Sequence, residues 1–295
     1  MSYTEEREIF GIKTRFFKLG NFMLGIPSEI GPRILYFASS KNPDLNLFGV
    51  VPEIKIETPE GLWKIYGGHR LWSSPEAMPR SYSLDDEPVQ IGAYDGEITI
   101  YGNPERENSI QKEITIKLNS DGSLKVEHKI KNIGRWPIRL ACWAISLMKK
   151  NGFAIIPIKP SKVDERGLLP DRHISLWPYT NLADDRIAFS ENYIFLRQNP
   201  NAKLPIKIGT KANPSRVAYY TDGLLFVKEI VREDKEYPDF GCNVEVYTNS
   251  EFLELETLGP LELVEPFQVV QHTETWKILE VGKLEPCQED VEKVL

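Results

Sequence analysis

Apolar and polar residues alternate one for one through much of this chain, in runs too short and too strict for a helical stripe. A period of two sends successive side chains to opposite faces of a strand, so such runs fold as half-buried strands. The pattern is clear over Glu97 to Tyr101, Ile110 to Leu118, Ser123 to Lys131, Ile138 to Met148, Gly152 to Ile158, Leu224 to Val231 and Asn243 to Thr248. It continues over Phe252 to Leu258 and Phe267 to Leu279. Turn clusters such as Asn119-Ser120-Asp121-Gly122 and Asn132-Ile133-Gly134 separate the runs. The tail after Glu285 has some helical pattern, but it is short and begins at a proline. The alternation predicts an all-β fold, a large antiparallel β-sandwich with helix confined to short connecting pieces. No repeat period and no low-complexity linker divides the chain, so residues 1–295 read as a single domain.

The balance of charge narrows the partners. A formal charge of -7 lacks the concentrated basic surface that nucleic acid or an anionic membrane requires, so neither is expected as a partner. Cys142, Cys242 and Cys287 are widely spaced with no CxxC pair, and no His or His/Glu spacing matches a ligand set. No metal and no cofactor is therefore expected. The first residues are charged and no apolar run reaches the length of a membrane helix, which gives a cytoplasmic expectation.

Side chains suited to binding concentrate between Trp63 and Asp85. Trp63 and Tyr66 lead into Gly67-Gly68-His69-Arg70-Leu71-Trp72, with Glu76, Arg80, Tyr82 and Asp85 beyond. Two glycines permit a tight turn or a close backbone approach, which predicts a loop carrying His69 and Arg70 at a strand end. Aromatic faces stack on sugar C–H surfaces while His, Arg and Glu bind hydroxyls, so this segment reads either as a carbohydrate site or as a packed loop with paired charges.

A second constellation lies near the C-terminus, where alternation puts Glu254 and Glu256 on one strand face. A two-residue turn at Asn249-Ser250 would set Glu245 opposite Glu254. Carboxylates that close raise one another's pKa, or else need an arginine such as Arg33 or Arg70. The alternative is a solvated strand face. Of the four histidines, His128 shares an apolar face with Leu124, Val126 and Ile130 and reads as a core residue. His272 reads as exposed or capping, and His173 lies in a polar segment that could turn into a groove. Lys207 and the Asp185-Arg186 pair read as structural ion pairs.

The run Tyr66-Gly67-Gly68-His69-Arg70-Leu71-Trp72-Ser73-Ser74-Pro75-Glu76 resembles the Gly-Gly-His loop of aldose 1-epimerases in the galactose mutarotase-like superfamily, and in particular a branch in which Arg follows that His. Further similarities follow in order: Gly31-Pro32-Arg33 with Asn46, Val126 to Asn132, Trp143-Ala144-Ile145-Ser146, Ile155-Ile156-Pro157, Ser175-Leu176-Trp177-Pro178-Tyr179, and Phe252 to Pro260. The resemblance implies a β-sandwich with a sugar groove across one sheet and a small-molecule carbohydrate as partner. It implies Glu256 as catalytic base with Glu254 beside it, and His69 as the histidine that contacts the sugar. Arg33, Trp63, Arg70, Trp72, Glu76, His173, Trp177, Tyr179 and Glu245 are the expected substrate contacts. The epimerases carry a second histidine on the strand that here reads Leu140 to Ser146, and this sequence has none there. A non-catalytic sugar-binding protein on the same scaffold is the competing expectation; no residue demands glycoside cleavage.

Overall fold

The computed structural model describes residues 1–295. Two large sheets face one another. The first has ten strands, in the order Ile187–Phe189, Tyr193–Arg197, Phe153–Pro157, Arg216–Thr221, Leu224–Ile230, Val269–Glu280, Leu124–Asn132, Ile110–Leu118, Glu97–Glu105 and Gln90–Tyr94. The second has eight. Its order is Ser175–Leu176, Ile206–Thr210, Val244–Thr248, Leu253–Leu258, Ile138–Met148, His69–Ser74 and Arg33–Ile34, with Glu262–Val264 beside the start of Ile138–Met148. Residues Ser2 to Ser39 supply a four-stranded sheet, and Lys55–Thr58 with Gly61–Lys64 form a separate hairpin. Helix is limited to short pieces such as Gln288–Val291; Pro238–Gly241 is a turn in which Asp239 and Phe240 take positive φ. No helix is long and apolar enough to cross a membrane.

Strand parity decides what each residue can do. In Ile138–Met148 the even positions Leu140, Cys142 and Met148 enter the 40-residue core between the sheets, whereas Trp143, Ile145 and Leu147 enter a second apolar cluster on the outer face. The neighbouring strands follow suit. Leu71, Val244, Val246, Leu253, Leu255, Ile206 and Ile208 point into the core. Their alternates Arg70, Trp72, Glu245, Tyr247, Glu254, Glu256 and Lys207 therefore share the outer face.

The hairpin register differs from the expected one. Glu245 stands opposite Glu256, and Tyr247 opposite Glu254. The turn holds Asn249, Ser250, Glu251 and Phe252: the Asn249 side-chain oxygen accepts from the amides of Glu251 at 2.7 Å and Phe252 at 2.9 Å, and the Asn249 amide donates to the Phe252 carbonyl at 3.0 Å. This Asx-type closure lengthens the loop and slides the pairing by two positions without exchanging faces.

Candidate functional site

The outer face of the smaller sheet carries a groove of about 330 Å³ lined by Trp63, Trp72, Tyr82, Trp143, Trp177, Tyr179, Tyr247 and Phe252, with Arg70, Glu76, Lys207 and Glu254 as its charged residues. Trp63 comes from the separate hairpin, Arg70 and Trp72 from His69–Ser74, Glu254 from Leu253–Leu258, and Lys207 from Ile206–Thr210. A wider cleft of about 820 Å³ lies among loops bearing Glu60, Asp85, Asp86, Glu87, Glu105 and Glu107. It lacks an aromatic wall, and the sandwich face gives the better-formed site.

Two charged assemblies are built into the groove. The Arg70 guanidinium donates to Glu254 Oε1 at 2.7 Å and lies 4.6 Å over the Trp72 ring. Its Nε and Nη1 are buried without a protein acceptor. Lys207 Nζ sits 2.8 Å from Glu245 Oε2 and 2.9 Å from Glu256 Oε2, 4.4 Å over Trp143 and 4.6 Å over Trp177. Trp143 Nε1 donates to the same Glu256 oxygen at 2.8 Å, leaving Glu256 Oε1 without a partner. Burial alone would lower the Lys207 pKa, yet the two carboxylates hold its ammonium well above the ordinary value. Burial pushes both Glu245 and Glu256 upward against the pull of Lys207. At the rim, Tyr82 donates its hydroxyl to Glu76 at 2.5 Å.

Trp63, Arg70, Trp72, Glu76, Trp177, Tyr179 and Glu254 thus meet in one groove, while Glu245 and Glu256 lie behind Lys207, fully buried. Three expected site residues lie elsewhere. Arg33 is sealed in, donating to the carbonyls of Ile65 at 3.0 Å and Gly67 at 2.6 Å and to Asp85 at 2.5 Å, so it clamps the chain ahead of the groove. His173 lies in a different cleft, beside Cys242 and the Asp239-Phe240 turn.

His69 is also not a groove residue. It opens a strand whose parity turns it, like Leu71, into the interior. The preceding glycines serve backbone against backbone: a Cβ on Gly67 would fall 2.2 Å from the Gly49 carbonyl oxygen, and one on Gly68 2.3 Å from that of Ile34. His69 Nδ1 bonds Ser146 Oγ at 2.8 Å and Nε2 bonds His128 Nε2 at 2.7 Å. His272, expected at the surface, is buried beside them and bonds Thr257 Oγ1 at 2.7 Å. Lys228 and Glu274 complete the cluster with a 2.7 Å ion pair, fully buried. His69, His128 and Glu274 come close enough together to hold a cation. The imidazoles, however, are bonded to each other and the Lys228 ammonium already neutralises Glu274, so the cluster is closed on itself.

His69→Ala should therefore cost stability and leave ligand binding alone. It strands His128 Nε2 in the core, worth about 1–3 kcal/mol, leaves Ser146 Oγ only its bond from Lys228 at 3.3 Å, and opens a void. A fall in melting temperature of roughly 5 °C or more is expected; an unchanged melting temperature with lost ligand would restore His69 to the site.

Sequence reasoning left Lys207 and Trp143 outside the expected contacts, although the signal was present. Lys207 lies between Ile206 and Ile208, and Trp143 between Cys142 and Ala144, so alternation assigns both to the face opposite the core.

No protein-family model matches the chain, and no curated protein matches it. Solved structures do. A galactose mutarotase-like protein from Lactobacillus casei superposes with a TM-score of 0.55 at 11% identity, over 90% of this chain and 100% of that one. A galactose mutarotase-like protein from Clostridium acetobutylicum gives 0.52 at 11% identity, over 94% and 98%. A candidate mutarotase from Salmonella typhimurium gives 0.58 at 9% identity, over 93% of each. Identities this low speak to architecture, and the architecture is unambiguous: this chain is an all-β sandwich of the galactose mutarotase-like fold.

Proposed function

We propose that the groove binds a carbohydrate. The observation that carries this is the union of aromatic walls with polar groups held rigid. Trp72, Trp143, Trp177 and Tyr179 offer faces to sugar C–H bonds, while Glu254 and the exposed Glu76 offer acceptors to hydroxyls. Glu254 is the carboxylate that meets the ligand, and Glu256 acts one layer behind it through Lys207.

A second reading, aldose 1-epimerase-like turnover, is favoured by the presence of a carboxylate and an ammonium in one groove. Glu254 would take the proton of the anomeric hydroxyl as the carbonyl forms and the ring C–O bond breaks, Lys207 would give a proton to the departing ring oxygen in place of the absent second imidazole, and reclosure on the other carbonyl face would return both protons. NMR of free sugars with the protein separates the readings: line broadening alone supports binding, and accelerated exchange between anomers supports turnover. If turnover is seen, Glu254→Gln should lower it by roughly 100-fold or more. The same loss in Glu256→Gln with Glu254→Gln unaffected would exchange the two roles. Absence of broadening across a panel of aldoses, with Trp72→Ala indistinguishable from wild type, would defeat the carbohydrate reading.

A further inference from the structure

Every cation in the groove is already neutralised. Arg70 is paired with Glu254, and Lys207 stands between two carboxylates. Of the remaining lining residues only Glu76 is charged; it is exposed and accepts one hydrogen bond, from Tyr82, on Oε1. Should burial keep Glu245 protonated, the Lys207 assembly is neutral and the groove retains the charge of Glu76; should it ionise, the groove is more negative still. The hairpin at the rim adds no positive charge, because Ile56 and Trp63 face the groove and alternation turns Lys55 and Lys64 away.

The aromatic walls also favour a cation. Both ammonium and guanidinium in this groove sit over indole faces, at 4.4 to 4.6 Å. Beside Glu76, Trp63, Trp72 and Tyr82 form a three-ring cluster with centroids 4.9 to 5.5 Å apart. Arg70 already covers one Trp72 face; the remaining negative ring faces, next to a carboxylate free on one oxygen, are what an ammonium group binds.

We propose that the ligand of this groove carries a positive charge, the aminosugars being the class, with the amine seated between Glu76 and the Trp63–Trp72–Tyr82 cluster. This rests on the carbohydrate reading and narrows it. A phosphorylated or carboxylated sugar meets no unpaired cation and is disfavoured.

The test is calorimetry or NMR titration at roughly pH 6.5, where the amine is protonated, using glucosamine, galactosamine, their neutral parents, N-acetylglucosamine, glucose 6-phosphate and tetramethylammonium. The amines should bind about three- to tenfold tighter than their parents and than the N-acetyl form, and the phosphate more weakly than glucose; an exposed cation–π contact and an exposed ion pair together are of this order. In Glu76→Gln the ratio of amine to parent affinities should fall about two- to fivefold, and in wild type it should fall as salt rises. Glucose 6-phosphate binding as tightly as glucose, or amines no tighter than their parents, overturns the proposal. Tetramethylammonium binding with no sugar bound supports the cation preference and overturns the carbohydrate reading instead; no binding by any probe overturns both.

Discussion

Acidification weakens this protein steeply below about pH 4.5, because three imidazoles are held neutral in its interior. Burial, then the nearby Lys228, pushes His128 down to about 3; burial does the same to His272, against the pull of Glu274. Burial and contact with His128 put His69 well below its ordinary value of 6.5. A base whose folded pKa is depressed contributes stability above its unfolded pKa, and that stability is lost as pH falls toward the folded value. The window here runs from about 6.5 down to about 3. Each such histidine costs about 1.4 kcal/mol per pH unit within it.

Glu245 and Glu256 act in the opposite sense. Their raised pKa values add stability as pH falls toward the ordinary carboxylate range and nothing below it. The histidines dominate under about pH 4.5, where His128 and His272 together remove roughly 4 kcal/mol by pH 3, a large share of a typical stability of about 5–15 kcal/mol. Denaturant midpoints measured between pH 7 and pH 3 check this. A midpoint that does not move, or one that moves equally in His128→Gln, would show that the imidazoles are not the cause.

Lys207→Met should be the most damaging single change on the groove face. It leaves Glu245 and Glu256 buried opposite one another with no counter-charge, and removing one partner of a buried ionic group costs about 3–5 kcal/mol. Part of the loss should be recovered by adding Glu245→Gln, since one fewer buried carboxylate then needs compensation. The deficit should also shrink as pH falls and the orphaned carboxylates take up protons. Thermal melts of the single and double variants at two pH values check the prediction; a Lys207→Met protein melting within about 2 °C of wild type would show that solvent reaches the carboxylates.

Alternation carried the sequence reading a long way. Ile110–Leu118 and Ile138–Met148 begin and end where the pattern puts them, the first because one face is apolar, the second, apolar on both faces, because the turns beside it are marked by Asn, Gly and Pro. The N-terminal strands were less legible: Phe16 and Phe17 are both buried, so Ile12–Leu19 does not alternate cleanly. His69 was misplaced because two glycines before a histidine look the same whether the close approach is to a ligand or to another strand. The hairpin register failed on one side chain, the Asn249 carboxamide, whose bonds to the loop amides cannot be read from spacing. Arg33 shows a third limit: its acceptors are carbonyls at Ile65 and Gly67, and carbonyls carry no sequence signal.

Strand parity bears finally on how such a scaffold acquires new specificities. Residues that line the groove alternate with residues that hold the sheets together, so drift at the rim, at Glu76, Trp177 or Tyr179, leaves the packed interior untouched. Lys207, Glu245 and Glu256 have no such freedom: each is answered by the other two, so a change at one is tolerated only after a change at another. Descendants of this chain should therefore diversify quickly around the mouth of the groove while inheriting its ionic floor as one unit, kept or replaced together.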